Sequence, residues 1–404
     1  MNFKRSILPS LLRRHGVAIC IAICIAGGLP WTLHAAKPNF EAQTIDPNII
    51  IGYGLAVGDV DGDGDQDILL ADRRDFWWYE NPSWKKQLFH TFHEGEKRTK
   101  LRDNVCIAAR DIDGDGKVEV AVGGNWNPGN TVSEKDSGSV HFLGSLGKIK
   151  PVRLPHEPTT HRMRWIRSGE KSYSLVVLPL HGRGNKGGAG ENGSAVFAYH
   201  PPADPSSGAW KTTLLSKELH KTHNFDSFAP RPNTPDHLVL GGAEGARHLS
   251  LVDGKWLSTT MDLPDMNGGA GEIRYGTHGL LACIEPIHGN TVAVYQRQGG
   301  KEQSGWVRTK LDDSLAQGHA LAVADFLGTG SPQVIAGWRN QNKDGKVGIK
   351  LYAQGKDGKW TTHLIDDNKM ACEDFKVVDL NKDGKLDIVA CGRATRNVVI
   401  YWNK

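Results

Sequence analysis

From about residue 54 onward the apolar residues fall in short runs cut by turns rich in Gly, Asp and Asn. Ile68-Leu69-Leu70, Val120-Ala121-Val122, Val334-Ile335-Ala336 and Ile388-Val389-Ala390 are typical. Short β-branched runs bounded by Gly and Asp predict strands, and no helical stripe competes with them. Three of these runs follow an acidic glycine loop: Asp59-Val60-Asp61-Gly62-Asp63, Asp111-Ile112-Asp113-Gly114-Asp115 and Asp379-Leu380-Asn381-Lys382-Asp383. A reduced copy, Asp325-Phe326-Leu327-Gly328, precedes the fourth. The leading Asp stands at 59, 111, 325 and 379, so steps of 52 and 54 flank a gap of 214, about four steps long. A fixed period of this size marks repeated supersecondary units, with three further copies hidden in the gap.

The complete unit reads Ala320–Ala324, Val334–Ala336, Gly348–Tyr352 and Trp360–Ile365, four short strands. The hidden copies open with His161–Ile166 and Leu175–Leu178, His223–Phe228 and Leu238–Leu240, and Glu272–Tyr275 and Leu280–Ile284. Seven such units predict an all-β, seven-bladed β-propeller of four-stranded blades over residues 37–404. The last unit stops at Tyr401-Trp402 with three strands. Phe40–Ile45 resembles the Trp-led fourth strands and is expected to complete that blade, so that no sheet edge stays open.

Charge removes some functions. The chain has 49 Lys+Arg against 45 Asp+Glu, and residues 1–36 hold four of the basic residues and no acid. The remainder is balanced, with no basic run, so nucleic-acid binding is not expected. Lys4 to Arg14 is a basic segment, Val17–Leu29 an apolar one too short to span a bilayer comfortably, and Leu33-His34-Ala35-Ala36 a small-residue cleavage site. Residues 1–36 therefore read as a signal peptide for a secreted or periplasmic protein with no stable membrane span after cleavage; an uncleaved anchor is the other reading. Cys106, Cys283, Cys372 and Cys391 remain, too few for a disulfide framework; Cys372 and Cys391 either pair within one sheet or stay as buried thiols.

Oxygen ligands at alternate positions, a turn-permitting Gly and a later carboxylate suit calcium. Asp59, Asp61, Asp63 and Asp67 have that spacing, as do Asp111, Asp113, Asp115 and Glu119, and Asp379, Asn381, Asp383 and Asp387. Strands flank these loops where an EF-hand needs helices; an acidic turn without metal is the other reading. The loops and their period resemble FG-GAP/VCBS repeats, which implies calcium-braced propeller blades but no particular function.

Other segments, among them Leu178-Pro179-Leu180-His181-Gly182-Arg183-Gly184, Ile284-Glu285-Pro286-Ile287-His288-Gly289, Gly318-His319-Ala320, Ala336-Gly337-Trp338-Arg339 and Met370-Ala371-Cys372-Glu373-Asp374, are similar to the propeller of the aldos-2-ulose dehydratase family. That resemblance implies dehydration of keto-sugars and anhydro-ketosugars by metal-assisted elimination. The family also carries cupin domains, which have no counterpart here, and this puts any cupin-dependent step in doubt.

Counting six residues back from each motif Asp gives Tyr53, Val105, His161, His223, Gly271 (beside Glu272), His319 and Glu373 at one height around the channel, opposite the Asp loops. Second-strand ends give Arg74, Asn125, His181, Glu244, Glu285, Arg339 and Arg393, with His288 just beyond. Imidazoles with a carboxylate suit zinc or another divalent transition metal, so His161, His223, His319 and Glu373 form the candidate metal set. His181 or His288 would transfer the proton, with Arg183, Arg339, Arg393 and Glu285 around the substrate. Arg339 and Arg393 equally fit a bridging role with Glu373 or Asp374. The expected function is a metal-dependent lyase or dehydratase acting on a keto-sugar, anhydro-ketosugar or related saccharide. The rival is a non-catalytic, calcium-stabilised propeller that binds carbohydrate or protein.

Overall fold

The computed structural model describes residues 37–92, 102–147, 150–186, 190–266, 268–297 and 305–404. The expected signal peptide lies outside these residues. The strands form seven antiparallel sheets of four. The innermost strands are Gly54–Gly58, Cys106–Arg110, Thr160–Arg167, Thr222–Phe228, Glu272–Tyr275, Gly318–Ala324 and Cys372–Val378, one for each of blades 1 to 7. Each packs on the innermost strands of both neighbouring blades, which closes the ring around a central channel. Only single 3₁₀ turns, at Pro205–Ser207 and Thr277–Gly279, interrupt the all-β pattern among the described residues. No helix there is long and apolar enough to cross a membrane.

The second strands explain the unbroken apolar runs. Asp67–Ala71, Gln333–Trp338 and Asp387–Gly392 are buried at every position, because both faces pack on neighbouring blades. Outer strands alternate instead, as Lys255–Met261 does, with one face in water. The seventh blade is completed as the sequence predicts. Phe40–Asp46 pairs antiparallel with Val398–Asn403, in a register that runs from Phe40 opposite Asn403 to Asp46 opposite Val398. The four cysteines Cys106, Cys283, Cys372 and Cys391 are buried free thiols, so Cys372 and Cys391 are not bridged.

A repeated latch joins successive blades. A buried third-strand tyrosine donates its hydroxyl to an acceptor at the end of the preceding blade's outer strand. Tyr79 bonds Asp46 (2.8 Å), Tyr352 bonds Asp312 (2.8 Å), Tyr401 bonds Asp366 (2.9 Å) and Tyr199 bonds the Pro155 carbonyl (2.7 Å). A phenol buried without a partner would be costly, so blades 1, 3, 6 and 7 are each stabilised by contact with the blade before them. In blade 5 the equivalent Tyr295 turns to Glu285 of its own blade (2.6 Å).

Asp46 ties the closing strand to blade 1 by this latch and by an ion pair with Lys86 (2.7 Å). Burial pushes its carboxyl up, but bonds from Lys86, the Asn48 amide and Tyr79 outweigh that, and the pKa lies below the ordinary 3.8. Its contribution is therefore present above pH 3.8 and lost as pH falls through the lower folded value. Asp46→Asn should cost roughly 1.5–3 kcal/mol near neutral pH, read by denaturant melts, with the deficit closing in acid. Deleting residues 40–46 should lower the melting temperature by about 10 °C or more.

Candidate functional site

The face opposite the Asp loops gathers the histidines, and β-bulges aim them. In blades 3, 4, 6 and 7 the innermost strand carries one extra residue against its partner: His161, His223, His319 and Glu373. A bulge re-aims its extra side chain, here at the channel mouth. The ring nitrogens are then fixed by the neighbouring blade. Nδ1 of His161 lies 3.0 Å from the His223 carbonyl, that of His223 2.7 Å from Gly271 O, and that of His319 2.6 Å from Glu373 O. Each acceptor is the corresponding residue one blade on. A carbonyl only accepts, so Nδ1 carries the proton and Nε2 keeps its lone pair.

His288 enters from the turn after the second strand of blade 5, with φ of 54°, the left-handed region that a non-glycine residue enters at a cost. Its Nε2 lies 2.8 Å from Nε2 of His223. Because His223 offers a lone pair there, His288 donates. Ligand atoms of His223, His288 and His319 lie within 4.8 Å of one another. Burial pushes all three imidazoles, and His161, below the ordinary histidine value, His288 to about 2. They are neutral at physiological pH, the form that binds a metal. Three convergent imidazoles, two with Nδ1 held by carbonyls, are a donor set that suits zinc or a neighbouring metal.

This trio differs from the set expected from sequence. His288 joins His223 and His319, whereas His161 stands beside them, its ring 4.8 Å from that of His223 and stacked on Trp126 at 5.0 Å. Glu373 is gripped by Arg339 (2.8 and 2.9 Å) and Arg393 (3.1 Å) and lies 4.0 Å from Nε2 of His319. Arg339 and Arg393 thus take the bridging role. Three other expected residues point elsewhere. Glu285 is buried against Tyr295 and Arg308, which satisfies its charge away from the histidines. Arg183 pairs with Glu134 and Glu157 at the surface. His181 is buried with Nδ1 unpartnered in a separate cavity beside Thr131 and Asn185.

One residue beyond the counted position lies a second polar layer, Arg162, Asn224, Glu272 and Asp374, of which the sequence reading names only Glu272 and Asp374. Glu272 is fully buried, accepts from Asn224 (2.7 and 2.9 Å) and Arg274 (2.9 Å), and lies 3.4 Å from Nδ1 of His223. Burial alone would raise its carboxyl; Arg274 and His223 outweigh that and bring it to about 2. The blade alignment that found the histidines finds this layer too when it is moved on by one residue.

The acidic loops sit at the far end of the channel. Asp59 accepts from the Gly62 and Gly64 amides, Asp111 from Gly114 and Gly116, and Asp379 from Asp383 and Gly384. Gly62 and Gly64 hold φ of 87° and 89°, which explains glycine there. The last carboxylate of each loop is bonded into its blade: Asp67 to Val60 and Asn81, Glu119 to Ile112 and Ser145, Asp387 to Leu380 and Asn403. Ligand oxygens of Asp59, Asp61 and Asp67 converge within 4.8 Å, as do those of Asp111, Asp113 and Asp115. In blade 6 the neutral Gln333 takes the bracing place, bonded to Leu327 N.

Comparison with known proteins agrees with this architecture. The chain is a seven-bladed propeller, and its residues 59–122, spanning the first two acidic loops, match the FG-GAP-like repeat family. It is 21% identical over 388 residues to aldos-2-ulose dehydratase of Phanerodontia chrysosporium, a match covering 87% of this chain. The chain spans 40% of the length of that curated relative. Among solved structures, a chain of the mitotic checkpoint complex aligns over 96% of this chain and 98% of its own, at 12% identity and a TM-score of 0.55. The N-terminal BBS1 chain solved in complex with ARL6 aligns over 91% and 98%, at 11% identity and a TM-score of 0.54. At such identities these two likenesses concern the fold alone.

Proposed function

We propose that the protein is a secreted, metal-dependent lyase that eliminates water from a keto-sugar, anhydro-ketosugar or related saccharide. The observation that carries this reading is the convergence of His223, His288 and His319 from three successive blades on one point. The similarity to a dehydratase over most of the chain supports the reaction type, and the basic-then-apolar opening of the sequence supports export.

A divalent ion held by His223, His288 and His319 would polarise a sugar carbonyl and acidify the adjacent C–H. The chain supplies the rest. His161 keeps a neutral ring with Nδ1 committed to the His223 carbonyl, so its Nε2 is the atom able to accept the proton. The freed electron pair forms the C=C bond and expels the hydroxyl group one carbon further on. His161 returns its proton to that hydroxyl, and water leaves. Trp126, stacked on His161, holds the ring in place. Arg339 and Arg393 grip the Glu373 side chain beside His319 and so steady the carbonyl that orients it.

Calcium in the acidic loops of blades 1, 2 and 7 belongs to the same proposal as a structural brace. Burial raises the Asp67 carboxyl to about 7, with Asp61 and Asp63 adding to the effect, and a cation would relieve that repulsion. Asp61→Ala or Asp113→Ala should abolish most of the melting-temperature gain that calcium gives the parent, with low-temperature activity kept. A parent whose melt ignores calcium would rule the brace out.

The centre itself is tested by metal analysis and by the rise of enone absorbance from keto-sugars. His223→Ala, His288→Ala and His319→Ala should each lose the transition metal. His161→Ala should keep it and turn over about 10²–10⁴-fold more slowly. If His223→Ala and His319→Ala retain both metal and activity, the protein is a binding propeller and not this lyase.

A further inference from the structure

Below the histidines the channel holds a cavity of about 380 Å³ whose wall includes Arg110, Arg162, Arg164, Arg274 and Lys376. Three of these cations are balanced locally. Arg164 faces Asp226 at 3.8 Å, Arg274 faces Glu272 at 2.9 Å, and Lys376 faces Asp374 at 2.6 Å. Arg110 and Arg162 have no carboxylate partner among the described residues. Arg110 lies at the far end, its guanidinium 4.3 Å from the Tyr173 ring centroid. Arg162 follows His161 directly in the chain, and its own bond is from Nη1 to the His161 carbonyl at 3.1 Å.

A guanidinium does not lose its proton in a protein, so the lumen carries two guanidinium charges that no ion pair neutralises, although Glu272 acts on Arg162 through space. The imidazoles beside Arg162 carry no negative charge in either protonation state and provide no countercharge. The neighbouring carboxylate, Glu272, already accepts from Asn224 and Arg274. An uncompensated charge in a narrow, low-dielectric channel is stabilised by an anion of matching geometry, and a guanidinium fork matches carboxylate and phosphate oxygens in bidentate fashion.

We infer that the channel beneath the three histidines is a binding site for a small sugar anion, with Arg162 gripping its carboxylate or phosphate group. Ser227, in the same wall, is of the kind that meets hydroxyl groups. The site narrows the ligands of this propeller to acidic sugars and requires neither a bound metal nor turnover, so it stands apart from the elimination reading.

Isothermal titration of the full chain with D-glucuronate, D-glucose 6-phosphate and D-glucose tests it. At least one of the two anions should bind, and whichever binds more tightly identifies the anionic group. Glucose should bind far more weakly, and anion binding should weaken as salt rises from about 50 to about 300 mM. Arg162→Gln should reduce anion affinity roughly 10-fold to 100-fold, and Arg162→Lys should restore part of it. If glucose binds as well as the anions, if nothing binds to the parent, or if Arg162→Gln binds as the parent does, the inference is overturned. The parent titration decides the matter even if a variant fails to fold. Anion binding by a protein that retains no transition metal would sink the lyase proposal and leave this one supported.

Discussion

Everything in this molecule depends on the pairing of Phe40–Asp46 with Val398–Asn403. A row of blades has two raw ends, each with an unpaired edge and an uncovered apolar face. Joining the ends through one sheet hides both, and fixes the angle at which every innermost strand meets its neighbours. The mouth and the loop face are both set by that angle. Asp46 extends the join by one more step, since the residue that finishes blade 7 also anchors Tyr79 and Lys86 of blade 1.

The histidine centre is built from the same ring. Each bulge histidine commits its Nδ1 to the backbone of the next blade, so imidazole spacing is set by blade spacing and not by side-chain packing alone. Blades 3, 4 and 6 supply the bulge histidines, and blade 5, with Gly271 at that position, supplies His288 from its turn instead. The acidic loops of blades 1, 2 and 7 lie at the other end of the channel. The two ends are chemically distinct, one rich in neutral imidazole and the other in carboxylate, with a cationic lumen between them.

The fold was legible because it rests on period and pattern, which repetition makes redundant. A unit blurred in one copy, such as Glu272–Tyr275, is placed by its neighbours. The bulge ring was legible for the same reason, since a count back from each motif Asp needs no side-chain geometry. Residues after the second strands were not. His288, Arg183, Glu285 and His181 sit in or beside turns of unequal length, where an equal count no longer means an equal direction. Glu285 turned to Tyr295 and Arg308, and Arg183 to Glu134 and Glu157, because ion pairs across blades are invisible in a linear count. The layer of Arg162, Asn224 and Glu272 was within reach of the alignment. Glu272 stands beside the counted Gly271, whereas Arg162 and Asn224 lie past the counted histidines, where a bulge turns two consecutive residues toward the channel and regular alternation would turn only one.

The tyrosine latches make the protein's parts unequal in sequence but inseparable in stability. In an open solenoid a terminal repeat frays without disturbing the others, since it has one neighbour. Here the acceptors of Tyr79, Tyr352 and Tyr401 lie at the end of the blade before, and the chain of dependence runs back to its start through Asp46. A defect at the outer strand of blade 2, 5, 6 or 7 is therefore felt by the blade that follows it.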